Sequence, residues 1–205
     1  MSKVRSCESS DDEDVTKKVK TNEATKKSSP NILVTGTPGV GKSSLCQRVK
    51  DKYTSGPVDV VNIGQLAKDR GFLGDFDAER DCPEIDEDAI VDCLEPRMSS
   101  GSGDAPTMVV DYHATDFFPE RWFDAVFVLR TNNTLLYDRL KARGYTDKKV
   151  EENLQCEIFQ TILDEAKESY REEIVHELVS DSQQDLESNA DRIVAWIDCW
   201  KASNK

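Results

Sequence analysis

The stretch of sequence that decides the fold reads Gly36-Thr37-Pro38-Gly39-Val40-Gly41-Lys42-Ser43. It matches the phosphate-loop pattern G-x-x-x-x-G-K-[ST] at every fixed position. An apolar run at 31–35 precedes it and a helical pattern at 44–50 follows it. The pattern requires this order, because the N–H groups of the glycine-rich turn and of the helix start then face a phosphate together.

The chemistry of a phosphate loop assigns roles to its side chains. Lys42 is expected to reach the β- and γ-phosphates of a nucleoside triphosphate, and the Ser43 hydroxyl to ligate Mg²⁺. The alternative is a glycine-rich turn with a structural role only. The flanking strand and helix favour the nucleotide site.

Length and composition limit the class of protein. A chain of 205 residues suits one domain with an appendage and can bury a sizeable core. No stretch approaches the run of about 20 apolar residues that spans a bilayer, and the N-terminus lacks the apolar core of a signal peptide. The six cysteines form no C-x-x-C pair. We therefore expect a soluble intracellular protein, with no membrane partner, whose cysteines are reduced packing residues.

The charge is distributed unevenly along the chain. The first 29 residues carry seven basic and six acidic side chains, so the total of −13 leaves −14 on the remainder. A surface this acidic repels nucleic acid and attracts basic proteins, which argues against high-affinity nucleic-acid binding. The alternative is that the charge only keeps the protein soluble.

The chain divides into a polar tail and one folded domain. Residues 1–29 are almost free of apolar side chains, so we expect them to be disordered. The basic runs at 17–20 and 26–27 could serve nuclear import, or they could be part of a solvated tail. Residues 30–205 are expected to form one phosphate-loop domain.

Short apolar strands alternate with helices in this domain, which predicts a three-layer α/β/α fold with a parallel sheet covered on both faces. The further strands are expected at 58–62, 108–111, 125–129 and 174–179, and the further helices at 63–70, 86–98, 131–143, 147–173 and 185–202. An acidic loop is expected at 71–82 and a flexible linker at 99–106. Ligands of such sheets bind at the carboxyl ends of the strands.

Two polar residues follow the apolar strand at 108–111. Asp111 ends it, where phosphate-loop enzymes place a second carboxylate that holds Mg²⁺ or orients the loop serine, although it could also be a turn cap. His113 lies at the same edge and could position a water or a phosphate. A plain hydrogen-bonding role for His113 is equally open.

Basic side chains follow the other strands. Arg130, Arg139 and Arg143 come after the strand at 125–129, and the last two share one helix face. An arginine fork suits the charge of a transferring phosphoryl group, although these residues could instead form a solvated face paired with Asp138. Lys68 and Arg70 could hold the phosphate of a second substrate or pair with the acidic loop. The stretch 147–149 could be a small mobile cover.

Several stretches resemble the adenylate kinase isoenzyme 6 family, which comprises nuclear adenylate kinases that act in ribosome assembly. The matching stretches are 35–43, 81–83, 110–113, 116–123, 127–131, 143–145 and 155–160. The phosphate loop alone is generic. Val110-Asp111-Tyr112-His113 and the sequence Phe-Phe-Pro-Glu-Arg-Trp-Phe at 117–123 are distinctive of that family.

The resemblance implies a nucleoside-monophosphate-kinase fold with a five-stranded parallel sheet, an AMP-binding segment near 62–84 and a lid near 142–152. It implies that Gly39, Gly41, Lys42, Ser43 and Ser44 hold the ATP phosphates and that Arg143 contacts ATP from the lid. The loop pattern and the helix face add Gly36, Thr37, Pro38, Val40 and Arg139 to the expected ATP contacts. Asn62 and Lys68 are the implied AMP contacts. Ser43 and Asp111 are the implied Mg²⁺ ligands, and Lys42, Asp111, His113 and Arg143 the implied catalytic residues.

The resemblance also implies an activity and a setting. The expected reaction is transfer of the γ-phosphoryl group of ATP to AMP, with ATP hydrolysis beside it, by a monomer in the nucleus and cytoplasm. A basic small-subunit ribosomal protein is the implied partner. The alternative is an ATP-hydrolysing assembly factor whose kinase activity is incidental. Lys68 stands where the family often has an arginine, and lysine supplies charge without the bidentate fork.

Overall fold

The structure is a computed structural model, and it describes residues 27–77, 82–99 and 105–204. The tail expected at 1–29 lies outside the described residues up to residue 26, and so does the linker over 100–104. Lys27 is described, and its ammonium donates hydrogen bonds to the Trp122 carbonyl at 3.0 Å and to the Asp124 carboxylate at 3.2 Å. No helix of these residues is long and apolar enough to cross a membrane.

Five strands form one parallel sheet. The strands of the described residues are β1 (Asn31–Thr35), β2 (Val58–Asn62), β3 (Leu73–Asp77), β4 (Cys82–Ile85), β5 (Thr107–Asp111), β6 (Ala125–Arg130) and β7 (Val175–Val179). The order across the large sheet is β2-β5-β1-β6-β7. The central strands β1 and β5 are buried along their whole length, which explains why they are continuous apolar runs. The predicted five-stranded parallel sheet is confirmed.

Helices cover both faces of this sheet, as predicted. They are α1 (Lys42–Lys52), α2 (Ile63–Arg70), α3 (Glu87–Met98), α4 (Asn133–Ala142), α5 (Asp147–Ile158), α6 (Thr161–Ser169) and α7 (Gln183–Ser203). Side chains alternate along a strand, so β1 contributes to two cores. Ile32 and Val34 pack with α1, α4 and α7, whereas Leu33 packs with α2, α3 and α6.

The acidic segment at 71–82 is not all loop. Strands β3 and β4 pair antiparallel as a small hairpin, with Leu73 opposite Ile85 and Asp77 opposite Cys82. Most of its side chains are exposed, and Phe76 is 63% exposed. Because the hairpin buries little apolar surface, its residues lack the hydrophobic alternation by which strands are predicted.

The single helix expected at 147–173 was wrong. The chain forms α5 and α6 instead, and the break lies at Gln160, whose φ is +59°. The break directs Ile162 and Ala166 into the core and leaves Phe159 71% exposed. Because a glutamine occupies the left-handed position that glycine usually takes, this break could not be predicted from the residue types.

We predict that Gln160→Gly stabilises the protein by about 0.5–1 kcal/mol. A left-handed backbone costs an L-residue roughly 1–2 kcal/mol, and glycine avoids this cost. Part of the gain is offset because glycine loses more conformational entropy on folding. Urea unfolding followed by circular dichroism measures the change. The matched control is Gln155→Gly, an exposed position within α5, which should lose about 0.5–1 kcal/mol. Equal destabilisation by both substitutions would contradict the assignment.

Candidate functional site

The carboxyl ends of three neighbouring strands converge on one cavity. The phosphate loop follows β1, Asn62 ends β2, and Asp111 ends β5. In the parallel register Asp111 lies beside Val34 of β1 on one side and beside Asn62 on the other. The cavity has a volume of about 370 Å³ and is called the loop cavity below. It is lined by Pro38, Gly39, Gly41, Lys42, Ser43, Ser44, Asn62, Gly64, Cys82, Ile85, Asp111, Tyr112, His113, Arg143, Tyr145 and Lys149.

Two glycines allow the loop to follow its path. Gly36 has a φ of +134°, and a Cβ there would lie 2.5 Å from the Leu129 carbonyl oxygen. Gly39 has a φ of +101°, and a Cβ there would lie 2.9 Å from a methyl group of Leu136. Strand β6 and helix α4 therefore approach the loop so closely that only glycine fits at both positions.

The Lys42 side chain curls back under the loop. Its ammonium donates hydrogen bonds to the Gly36 carbonyl at 2.7 Å and to the Thr37 carbonyl at 3.2 Å. Desolvation lowers the pKa of Lys42 to about 8, although the negative charge of Asp111 opposes the shift. At neutral pH the Lys42 ammonium is therefore still protonated, but it loses its proton more readily than an ordinary lysine does.

Two polar side chains donate to one carboxylate oxygen of Asp111. The Ser43 hydroxyl donates to it at 2.5 Å, and the Asn62 amide donates to it at 2.7 Å. The Asn62 side-chain oxygen in turn accepts from the Gln65 backbone N–H at 2.9 Å and caps α2. A hydroxyl beside a carboxylate is the oxygen-only donor set that Mg²⁺ prefers, so Ser43 and Asp111 fit the ion that the sequence predicts.

His113 lies at the mouth of the loop cavity. Its ring is 4.3 Å from that of Tyr112, measured between centroids. Desolvation by the surrounding walls, followed by the positive charge of Lys42, lowers the pKa of His113 below its usual value. The imidazole is therefore neutral at pH 7 and can donate or accept a hydrogen bond without adding charge.

A second cavity adjoins the first and is rich in carboxylates. This acidic cavity has a volume of about 710 Å³ and shares Gly64, Cys82, Ile85, Tyr112 and His113 with the loop cavity. Its remaining lining is Lys68, Leu73, Asp77, Pro83, Glu84, Glu87, Ala114, Asp116 and Glu165. Desolvation raises the pKa of Glu87 and of Glu165.

A third cavity of about 230 Å³ lies beside Gly39–Gly41, and Arg143 borders both it and the loop cavity. Arg139 also lines it, and the Arg139 guanidinium donates to the backbone carbonyls of Ser180 and Asp181, each at 3.0 Å. These carbonyls follow β7, so Arg139 ties α4 to the loop before α7. The structure places Arg139 there rather than in the alternative pairing with Asp138. We call this space the Arg139 cavity.

Most predicted site residues thus lie together, but not all line a cavity. Gly36 and Thr37 contact Lys42 from behind, Val40 borders the Arg139 cavity, and Lys68 reaches only the acidic cavity. Asn62, an expected AMP contact, donates to Asp111 and lines the loop cavity. Arg130 is a described residue, but it does not line any of these three cavities.

Sequence reasoning missed some residues of the site. Tyr145 and Lys149 line the loop cavity, and Ser180 and Ser182 line the Arg139 cavity. Lys149 belongs to the stretch expected to act as a cover, but no individual role was assigned to it. The loop after β7 carries no motif, and only its position at the carboxyl edge of the sheet could have indicated it.

We predict that ATP affinity falls as the pH rises through about 8, because the phosphates bind the protonated Lys42 and its pKa in the free protein is about 8. Well above that pH the dissociation constant should rise roughly tenfold per pH unit. Titration calorimetry between pH 6.5 and 9.5 measures it. Lys42→Arg, which stays charged throughout, should bind more weakly but with a flat profile. A flat profile for the unsubstituted protein contradicts the prediction.

Known proteins resemble this chain in sequence and in fold. Residues 32–160 match the protein family described as AAA domain. The adenylate kinase isoenzyme 6 homolog of Drosophila melanogaster is 46% identical over 172 residues, which are 84% of this chain and 94% of that protein. The homolog of the same name in Caenorhabditis elegans is 49% identical over 164 residues, which are 80% of this chain and 87% of that protein.

Among solved structures, the tunicamycin resistance protein of Deinococcus radiodurans aligns with a TM-score of 0.52. The alignment covers 82% of this chain and 95% of that one, at 18% identity, and therefore shows a shared fold only. The sequence relatives show more, because their identity extends over nearly the whole folded domain. The chain belongs to the adenylate kinase isoenzyme 6 family.

Proposed function

We propose that the protein is a nucleoside-monophosphate kinase that transfers the γ-phosphoryl group of ATP to AMP, with slower ATP hydrolysis beside it. The observation that carries the proposal is the shared wall between the loop cavity and the acidic cavity, formed by Gly64, Tyr112 and His113 among others. A donor on the phosphate loop and an acceptor in the second cavity would meet at this wall. The names of the relatives support AMP as the acceptor.

ATP would lie along the phosphate loop. Lys42 and the loop N–H groups would bind the β- and γ-phosphates, and the base would extend towards the Arg139 cavity. Arg143 borders both spaces, so it can reach the triphosphate as well. Mg²⁺ held by Ser43 and Asp111 would neutralise charge on the phosphate oxygens.

The acceptor would occupy the acidic cavity with its phosphate towards the shared wall. Carboxylates such as Asp116 and Glu165 repel a phosphate dianion but accept hydrogen bonds from the exocyclic amino group of adenine. Lys68 is the basic residue of this lining and would attract the acceptor phosphate. The arrangement therefore favours a monophosphate whose base carries an amino group.

Transfer would be a direct displacement. An oxygen of the AMP phosphate attacks the γ-phosphorus, the bond to the β–γ bridging oxygen breaks, and ADP leaves with those electrons. Lys42 and Arg143 stabilise the charge that spreads over the phosphoryl oxygens, and no covalent enzyme intermediate is needed. Neutral His113 at the shared wall would orient the attacking phosphate by a hydrogen bond.

A second candidate function is ATP hydrolysis coupled to binding a basic small-subunit ribosomal protein, in the nucleus and cytoplasm. The observation that favours it is the lining of the acidic cavity, where five carboxylates face Lys68. Such a lining suits a cationic side chain as well as an adenine amino group. His113 would then orient water instead of a phosphate.

We predict that the purified protein with Mg²⁺ and ATP forms ADP from AMP far faster than it releases free phosphate. The measurement is chromatographic product analysis with AMP, dAMP, CMP, UMP or GMP as acceptor. Lys42→Ala and Asp111→Asn should each lower turnover by at least about a hundredfold, because each removes charge held at the transferring group. UMP, whose base lacks an amino group, should be the poorest acceptor.

The opposite result would decide for the second candidate. If ADP forms only in amounts equal to the free phosphate released, and no acceptor is converted to its diphosphate, the kinase proposal is wrong. In that case a purified basic small-subunit ribosomal protein should change the rate of phosphate release. An unchanged rate would reject the second candidate too.

We predict that Lys68→Ala raises KM for AMP about five- to tenfold, the loss expected for one partly screened phosphate contact, while KM for ATP stays the same. Lys68→Arg should retain or lower KM for AMP, since a guanidinium can bind a phosphate bidentately. Arg70→Ala is the control, because Arg70 is exposed on the same helix and does not line the three cavities described. Equal effects of Lys68→Ala and Arg70→Ala on KM for AMP would refute a contact by Lys68.

A further inference from the structure

A buried carboxylate behind the phosphate loop joins three separate segments of the chain. Glu157 near the end of α5 is 2% exposed. Its carboxylate accepts hydrogen bonds from the Thr37 hydroxyl at 2.5 Å, from the Arg130 guanidinium at 2.7 Å and from the Thr131 backbone N–H at 3.0 Å. Phosphate loop, strand β6 and helix α5 therefore meet at one side chain.

Thr37 links Glu157 to Lys42 through hydrogen bonds. The Thr37 side chain is held by Glu157, and the Thr37 carbonyl accepts from the Lys42 ammonium at 3.2 Å and from the Val40 N–H at 3.3 Å. The peptide that carries this carbonyl thus has its orientation fixed from behind by Glu157. A loop must point its N–H groups in one direction to bind phosphate. The hydrogen bond to Glu157 therefore favours the conformation of the loop that binds phosphate.

The other end of the same helix borders the loop cavity. Helix α5 begins at Asp147, Lys149 in its first turn lines that cavity, and Glu157 lies eight residues further on. Eight residues of α-helix extend about 12 Å, so a single rigid element joins the cavity wall to the back of the loop. A movement of α5 therefore acts on Thr37 directly.

We propose that Glu157 is a positioning residue, which holds the phosphate loop in its phosphate-binding conformation through Thr37 and couples that conformation to helix α5. The inference rests on the proposed role of the loop in ATP binding. Arg130 supplies the charge that allows the carboxylate to be buried, because an unpaired buried carboxylate would be strongly destabilising. Of the residues that bond to the Glu157 carboxylate, Thr37 is the one in the phosphate loop, so the restraint acts on the loop through Thr37.

A purely structural role for Glu157 makes a different prediction. The carboxylate would then serve only to form an ion pair with Arg130. Nucleotide binding by the loop would weaken only as far as the whole domain is destabilised. Removing the Thr37 hydroxyl separates the two roles, because Thr37→Val keeps the shape of the side chain and leaves the Glu157–Arg130 pair in place. Arg130→Gln does the reverse, since it removes the charged partner and leaves the Thr37 donor.

The experiment compares Thr37→Val, Thr37→Ser, Glu157→Gln and Arg130→Gln with the unsubstituted chain. Fluorescence titration with N-methylanthraniloyl-ATP and Mg²⁺ gives the dissociation constant, and hydrogen exchange of the ligand-free protein reports on the amides of residues 36–43. Thermal unfolding of each variant gives its stability. All titrations are made well below the unfolding temperature of the least stable variant.

Thr37→Val should weaken nucleotide binding at least tenfold and increase exchange in the loop, whereas Thr37→Ser, which keeps the hydroxyl, should stay within about threefold. Glu157→Gln should weaken binding as much as Thr37→Val. A double variant with both Thr37→Val and Glu157→Gln should bind no more weakly than the weaker-binding of these two single variants. Arg130→Gln should lower the unfolding temperature most but affect binding less than Thr37→Val.

Two results would overturn the proposal. One is unchanged binding and unchanged loop exchange in Thr37→Val, and the other is a loss of affinity across all variants that simply follows their unfolding temperatures. Failure of the proposed role of the loop in ATP binding looks different. The unsubstituted chain would then bind no nucleotide, while loop exchange in the variants would still show whether Glu157 positions the loop.

Discussion

The parallel pairing of β1 with β5 is the constraint on which the rest of the site depends. It sets Val34 beside Asp111, and the phosphate loop begins directly after β1, so Ser43 and Asp111 come within hydrogen-bond distance. A register slip of one residue would turn the Asp111 side chain to the other face of the sheet. Burial of both strands prevents the slip, because it would also misplace every apolar side chain of the two cores.

Positive and negative side chains lie in different parts of the site, although the chain as a whole is acidic. Positive groups, including Lys42 and Arg143, line the loop cavity, while carboxylates dominate the neighbouring acidic cavity. Neutral His113 stands between the two. Such an arrangement can hold phosphates at one end and an amino-bearing group at the other, because the two fields act over a few ångströms in poorly solvated space. Net charge alone would not have indicated a phosphate site.

Much of the fold and of the phosphate end of the site could be predicted from the sequence. The loop, Asp111 and the buried strands have patterns that follow from local physics. The hairpin of β3 and β4 and the break at Gln160 could not, since neither carries hydrophobic periodicity or a glycine at the turning point. Glu157 was missed because its three partners are distant in sequence, and an isolated glutamate in a helix resembles any solvated one.

Helix α5 begins after its N-cap Thr146, whose hydroxyl accepts from the Lys149 backbone N–H, and it ends before Gln160, whose φ is +59°. This cap and this turn fix where the helix starts and stops, so its number of residues sets the angle between the side chains at its two ends. One inserted residue between Lys149 and Glu157 would rotate Glu157 by about 100° and direct its carboxylate away from Thr37. Substitutions on the outer face of α5 leave the geometry intact, whereas the length of the helix is as strict a requirement as the glycines of the loop.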